Sequence, residues 1–162
     1  MFRQPVIDGF EFASAGATQQ GVWPLNGFPR LRSMLASDAG EVDCALQGTR
    51  DERGRPSLRV SVRGSLQLRC HRCLEPMPFE VQAQELLVLA TTQAEIDAEP
   101  ADASAPDRVA GKEMSVGELI EDQLILELPY APRHEYCKVP QTEADASTSP
   151  LAGLRGLIQG KQ

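Results

Sequence analysis

The chain is short of the residues that most often do chemistry. Of its 162 residues, two are His, one is Trp, two are Tyr and five are Phe. There is no Gly-rich phosphate loop, no strand-to-helix Ser elbow and no H-E-x-x-H pair, so the common catalytic constellations have nothing to build on. The adjacent carboxylates Glu121 and Asp122 fall in a candidate helix, where neighbours diverge by about 100° and cannot face one substrate as an acid–base pair. No enzyme and no small-molecule substrate is expected. No apolar run reaches the roughly 18 residues of a membrane span. The opening MFRQPVIDGFEF has no charged-then-apolar leader. Four cysteines are too few for a disulfide-stapled secreted scaffold. The expected setting is a reducing cytoplasm with no membrane partner.

What the chain does have is charge, unevenly placed. The net charge of −7 argues against a uniformly basic nucleic-acid coat. Between Arg50 and Cys73, however, seven arginines (50, 53, 55, 59, 63, 69 and 72) meet only Asp51 and Glu52, which leaves that stretch at +5. From Glu80 to Asp107 seven acids meet no base at all. Arginine forks suit phosphate and carboxylate. The basic stretch is therefore either a phosphate-binding surface or a solvated sheet face paired with acids elsewhere.

Period-two alternation predicts strands over residues 42–48, 57–70 and 78–90. In the second, Leu58, Val60 and Val62 face one way and Arg59, Ser61 and Arg63 the other. Gly64 is expected to permit a bulge or bend before Leu66, Leu68 and Cys70 resume the apolar side. Ser115 opens a helix as a capping-box residue with Glu118, and Pro129 stops it. Val116, Leu119, Ile120, Gln123 and Leu124 share its apolar face, widened by Ile125, Leu126 and Leu128, while Glu121, Asp122 and Glu127 are expected outward. In the N-terminal third, Pro5–Phe12 suits a short strand, Phe28–Leu35 a short helix opening at Pro29, and Trp23 and Phe28 a cover for the sheet. The fold class expected is α+β: an antiparallel β-meander packed by one main helix, with a mobile acidic loop and a short C-terminal apolar tail. Residues 1–139 form the single domain, with 91–113 as a flexible acidic insertion, and 140–162 form a polar linker and amphipathic tail.

Cys70-His71-Arg72-Cys73 is the strongest local signal. Two thiols at this spacing suit a redox pair, half of a metal site, or strand-end packing. A redox pair wants a helix N-terminus behind the first thiol, and here a strand pattern precedes. His134-x-x-Cys137 offers a second pair at the same spacing, so a structural zinc on Cys70, Cys73, His134 and Cys137 stands beside the expectation of no cofactor and simple packing. Cys44 is expected to be a buried thiol on a strand's apolar side. By alternation His71 is exposed.

CHRCLEPMPFEV at 70–81, IEDQLILELPYAPRHEYC at 120–137 and the apolar tail SPLAGLRGL at 149–157 together resemble the YceD family. The family pattern is CxRC and a strand, then an acidic-apolar helix ending in Leu-Pro, then P-x-H and a Cys. Cys70, Arg72, Cys73, Glu121, Asp122, Leu126, Leu128, Pro129, Pro132, His134 and Cys137 stand at those places, and Gln123 departs from an acid. The resemblance implies a non-enzymatic role in the synthesis, processing or stability of bacterial 23S ribosomal RNA. The partners so implied are 23S rRNA or a pre-large-subunit particle, with a basic ribosomal protein as a further candidate. The candidate contact residues are Arg59, Arg63, Arg69, Arg72, His71, Glu121 and Asp122. The alternative functions are an adaptor that holds a basic protein through its acidic helix and apolar tail, and a zinc- or redox-dependent module at the CxxC.

Overall fold

The computed structural model of the chain describes residues 5–98 and 106–137. Its centre is the expected antiparallel meander: β4 (Glu41–Arg50), β5 (Pro56–Arg69) and β6 (Pro76–Ala90) pair in sequence order. The β4–β5 turn is tied by Asp51. Its Oδ1 accepts from the backbone N–H of Arg53 and Arg55, its Oδ2 accepts from Arg55 Nε at 2.7 Å, and Gly54 takes the left-handed φ of 78° the turn requires. The sheet is extended by β2 (Thr18–Pro24) on β4 and by β7 (Arg108–Val109) parallel to the end of β6. β3 (Leu35–Ser37) pairs with the far end of β5, beyond the reach of β4. A separate two-stranded pair joins β1 (Val6–Ile7) to β8 (Met114–Ser115).

The alternation in β5 is borne out from Leu58 to Leu68, while Ser57, expected on the outer side, is buried. Leu58, Val60, Val62, Leu66 and Leu68 are all buried, and the pairing register runs straight through Gly64. The bulge or bend expected there is absent. Gly64 is needed for another reason: a Cβ on it would lie 2.6 Å from Val42 Cγ1. Gly48 answers a closer approach, since its Cβ would meet the Phe12 carbonyl oxygen at 2.1 Å. That contact is where the short helix α1 (Gly9–Ser14), capped by Asp8, lies against β4. The expected strand at Pro5–Phe12 is thus only two residues of β1 followed by helix.

A one-turn helix, α2 (Pro29–Arg32), follows a 3-10 turn at Leu25–Gly27. Phe28 is fully buried and stacks on half-buried Trp23 with ring centroids 6.0 Å apart; both pack on the core, Phe28 from beside the sheet and Trp23 from within β2 rather than as a cover over it. The acidic segment 91–113 was expected to be a mobile loop. Within its described part it carries the helix α3 (Gln93–Ala98) and β7 instead. Asp107 anchors it, accepting the Val88 N–H at 2.7 Å.

The main helix is α4 (Val116–Glu127), with Ser115 Oγ accepting the Glu118 N–H and Pro129 following its last residues. Val116, Leu119, Ile120, Gln123 and Leu124 are buried as the periodicity requires. Val116, Leu119, Ile120 and Leu124 join the core with the inner face of β4–β6 and with Leu25, Phe28 and Leu31. Leu126, expected on the apolar face, points out and is 77% exposed. The α+β architecture stands. The linker and tail at 140–162 lie outside the described residues. Among the described residues, no helix is long and apolar enough to cross a membrane.

Candidate metal centre and its basic surround

The β5–β6 turn is built around one sulfur. Cys70, the first residue after β5, is fully buried. Its N–H bonds the Glu75 carbonyl, its carbonyl accepts from Leu74 N–H at 2.9 Å, and its Sγ accepts from Arg72 N–H at 3.4 Å. To close this knuckle Leu74 adopts φ 65°, the one non-glycine residue with positive φ among those described. A left-handed residue with a Cβ costs about 1–2 kcal/mol, so the surrounding bonds must fix it. The knuckle thereby brings Cys73 back beside Cys70.

The other half arrives from a distant part of the chain. After α4, the Pro132 carbonyl accepts the His71 N–H at 2.8 Å, which lays the 129–137 segment across the turn. His134 Nδ1 lies 3.3 Å from Cys73 Sγ, and His134 Nε2 lies 3.2 Å from the Pro76 carbonyl oxygen. Cys137 completes the group. The ligand atoms of Cys70, Cys73, His134 and Cys137 all lie within 4.8 Å of one another. A tetrahedral zinc with bonds of about 2.3 Å to sulfur has ligand–ligand edges of about 3.8 Å, so closing on an ion needs movements of about an ångström at most.

The thiols do not ionise alike. Burial opposes ionisation of Cys70, but the N–H groups of Cys73, His134 and Arg72 outweigh it and draw its pKa down to about 5. Cys137 moves the other way: burial, then its bonds to the sulfurs of Cys70 and Cys73, hold its proton on. This is what several thiols crowded around a few N–H donors do: one becomes the anion and a neighbour donates to it. Cys44 is separate. It is buried on the inner side of β4, where burial and then the Asp43 charge push its thiol up to about 12, as befits the packing role expected of it.

The structure divides the other candidate residues among three places. Arg59 and Arg63 lie on the outer face of the sheet, Arg59 opposite Gln47 and Leu86, Arg63 opposite Asp43 and Gln82. Arg63 borders a shallow trough of about 740 Å³ that also takes in Gln20, Ser61 and Gln84. Arg69, His71 and Arg72 lie exposed around the knuckle. Arg63 and Arg69 are six residues apart on one strand, which is about 20 Å. The +5 stretch is thus spread along the whole of β5 and its two turns rather than gathered in one patch.

Glu121 and Asp122 lie elsewhere again, and the outward placement expected for Glu121 is corrected. Glu121 is 4% exposed. Its Oε1 accepts from the N–H groups of Arg30 at 2.6 Å and Leu31 at 3.0 Å, and its Oε2 accepts from Arg30 Nε at 3.0 Å. The reason is that α2 packs end-on against α4 and presents the unpaired N–H groups of its first turn to this carboxylate. Asp122 is half-buried and pairs with both Arg30 and Arg108. Glu127, the third acid of that face, is also half-buried and accepts from Gln123 Nε2.

Sequence reasoning missed the aromatic part of the surround. Tyr130 is fully exposed and Tyr136 is 87% exposed, one on either side of Pro132–His134, with Arg133 exposed between them. The signal was present: two tyrosines in a Pro-broken segment after the helix, where neither periodicity gives them a core to enter.

Against models of known families, residues 58–155, more than half of the chain, match that of the large ribosomal RNA subunit accumulation protein YceD. The matched range takes in most of β5, the knuckle, α4 and both halves of the Cys/His group, while α1, β2 and α2 precede it. No solved structure matches.

Proposed function

The chain belongs to the YceD family of large ribosomal RNA subunit accumulation proteins, and on that footing we propose that it supports the synthesis, processing or stability of 23S rRNA without itself making or breaking covalent bonds. The family match is the observation that carries the reading. The surface is in keeping with it. Around the knuckle, Arg69, Arg72 and Arg133 offer phosphate-binding forks, and exposed Tyr130 and Tyr136 offer faces on which unpaired bases can stack. We place the RNA contact at this end of the sheet, on pre-large-subunit particles in the cytoplasm.

The adaptor alternative has less support. Two of the acids it relied on, Glu121 and Asp122, are already paired within the chain with Arg30 and Arg108, and the apolar tail lies outside the described residues.

Depletion of the protein followed by measurement of the 23S to 16S ratio tests the role; the ratio is expected to fall, and an unchanged ratio overturns it. Binding to 23S fragments should weaken steeply with salt. Arg69→Glu/Arg72→Glu should abolish that binding, whereas Arg59→Glu/Arg63→Glu should reduce it less. The reverse ranking would move the contact to the outer sheet face.

A further inference from the structure

We propose that Cys70, Cys73, His134 and Cys137 bind one Zn²⁺ ion, with His134 ligating through Nδ1, as a structural clasp between the β5–β6 turn and the segment that follows α4. The inference does not rest on the RNA reading.

Four observations converge on it. The first is the ligand set: three thiols and one imidazole, mutually within 4.8 Å, from two pairs at CxxC and HxxC spacing. Soft sulfur with imidazole in a four-ligand group selects zinc over the hard cations, and four protein ligands leave no position open for a substrate, so the role is structural. The second is the knuckle. Its Arg72 N–H···Sγ bond and the left-handed Leu74 hold Cys70 and Cys73 with both sulfurs turned to the same point. Hairpin turns commonly hold a residue at positive φ, but here a leucine rather than a glycine takes it, so the bonds around the sulfur must offset the strain.

The third is the setting of His134. With Nδ1 beside Cys73 Sγ, its Nε2 faces the Pro76 carbonyl. That carbonyl accepts only if Nε2 carries the proton, which leaves the Nδ1 lone pair free for a metal. A metal-bound imidazole is commonly oriented by this kind of outer hydrogen bond. The fourth is what the centre joins. Cys73 and His134 are 61 positions apart in sequence. The segment carrying His134 and Cys137 is irregular, held to the turn by the His71 N–H···Pro132 bond and the His134 contacts. An ion at this point closes a long loop and fixes the position of Tyr130, Arg133 and Tyr136. Binding is redox-neutral: Zn²⁺ displaces the protons that the three thiols still carry, which pass to solvent, and the imidazole binds neutral.

A Cys70–Cys73 redox pair is the rival chemistry. It requires an accessible attacking thiolate, and Cys70 is fully buried at a strand end rather than exposed at a helix N-terminus.

The test uses the full chain purified with reductant and without chelator. Elemental analysis should find one zinc per chain. Exchange to Co²⁺ should give the intense visible bands of a tetrahedral site and a near-ultraviolet sulfur-to-cobalt band of three-thiolate strength. Cys44→Ala should keep the metal, and Cys137→Ser should lose thiolate intensity. His134→Gln should weaken binding tenfold or more, while His134→Cys should restore it with a four-thiolate spectrum. Should the variants fail to fold, the Co²⁺ spectrum of the unaltered chain still counts the thiolates. Metal content at background after reconstitution, weak octahedral cobalt bands, or a Cys70–Cys73 disulfide in freshly isolated protein would each overturn the site. Zinc with an unchanged 23S ratio would leave the site standing and remove the function; a lowered ratio without zinc would do the opposite.

Discussion

Glu121 provides the sharpest test of the tertiary structure, because the helix periodicity and the fold place it differently. Replacing it with Ala removes the acceptor for two backbone N–H groups at the start of α2. The Leu31 N–H bond is buried, and leaving such a donor without a partner costs about 1–3 kcal/mol. The Arg30 N–H bond is part-buried and water can replace some of it, so about 1 kcal/mol is assigned there. The Arg30 guanidinium adds little, since its side chain is 53% exposed and it retains Asp122. Relief from burying a carboxylate offsets part of the loss. Glu121→Ala is therefore expected to destabilise by about 1–3 kcal/mol. Glu121→Gln keeps a carbonyl oxygen for both N–H groups but turns an amide toward Arg30 Nε, and should cost about 1 kcal/mol. Urea denaturation followed by far-UV circular dichroism reads both as shifts in midpoint at constant slope. An Ala variant within about 0.5 kcal/mol of the parent would refute the internal role, because surface substitutions fall in that range. If Glu121 were instead a partner contact, both variants would fold normally and lose the partner.

Gly48→Ala should destabilise by about 3 kcal/mol, since its Cβ would meet backbone atoms of Phe12 and Ala13 at 2.1 and 2.8 Å. Gly64→Ala, which meets the end of the Val42 side chain, should cost less; equal costs in denaturant titrations would mean that α1 does not rest on β4 as described. Cys44 predicts an alkaline slope. Its folded pKa is raised to about 12 by burial and then Asp43, whereas an unfolded thiol ionises at about 8.5, so its contribution is whole below that pH and is lost as pH rises toward 12. Between pH 9 and 11 the parent should lose about 1.4 kcal/mol per pH unit more than Cys44→Ala; parallel pH profiles for the two would contradict the burial. Tyr130→Ala/Tyr136→Ala should leave stability unchanged, as both rings are exposed, and weaken binding to single-stranded 23S fragments by about 1–3 kcal/mol per lost stack with the salt slope retained. Undiminished affinity would sink the stacking contact.

The arginine-rich stretch shows why a charge count is a poor map of a surface. β5 has 14 residues, and at about 3.3 Å per residue it extends roughly 45 Å. Arg50, Arg53 and Arg55 serve the turn at one end, where Arg55 pairs with Asp51 and Arg50 bonds the Gly54 carbonyl. Arg59 and Arg63 lie on the middle of the outer face, and Arg69 and Arg72 surround the knuckle at the other end. Only this last group shares its neighbourhood with exposed aromatics and the Cys/His cluster.

The sequence by itself determined whatever depends on neighbours along the chain. Alternation set the three long strands and their buried faces, because successive side chains on a strand point to opposite sides. The Ser115 cap and Pro129 set the limits of α4, since backbone groups at helix ends must find local partners or stop. The family pattern and the two Cys/His pairs were legible for the same reason, each being short and contiguous. Only the tertiary structure decided which distant pieces meet. Closing the hairpin at Leu74 and turning the chain after Pro129 put His134 and Cys137 on Cys70 and Cys73. Docking of α2 on α4 buried Glu121 against N–H groups some 90 residues away. Those outcomes depend on which surfaces pack together, and no local period in the chain records that.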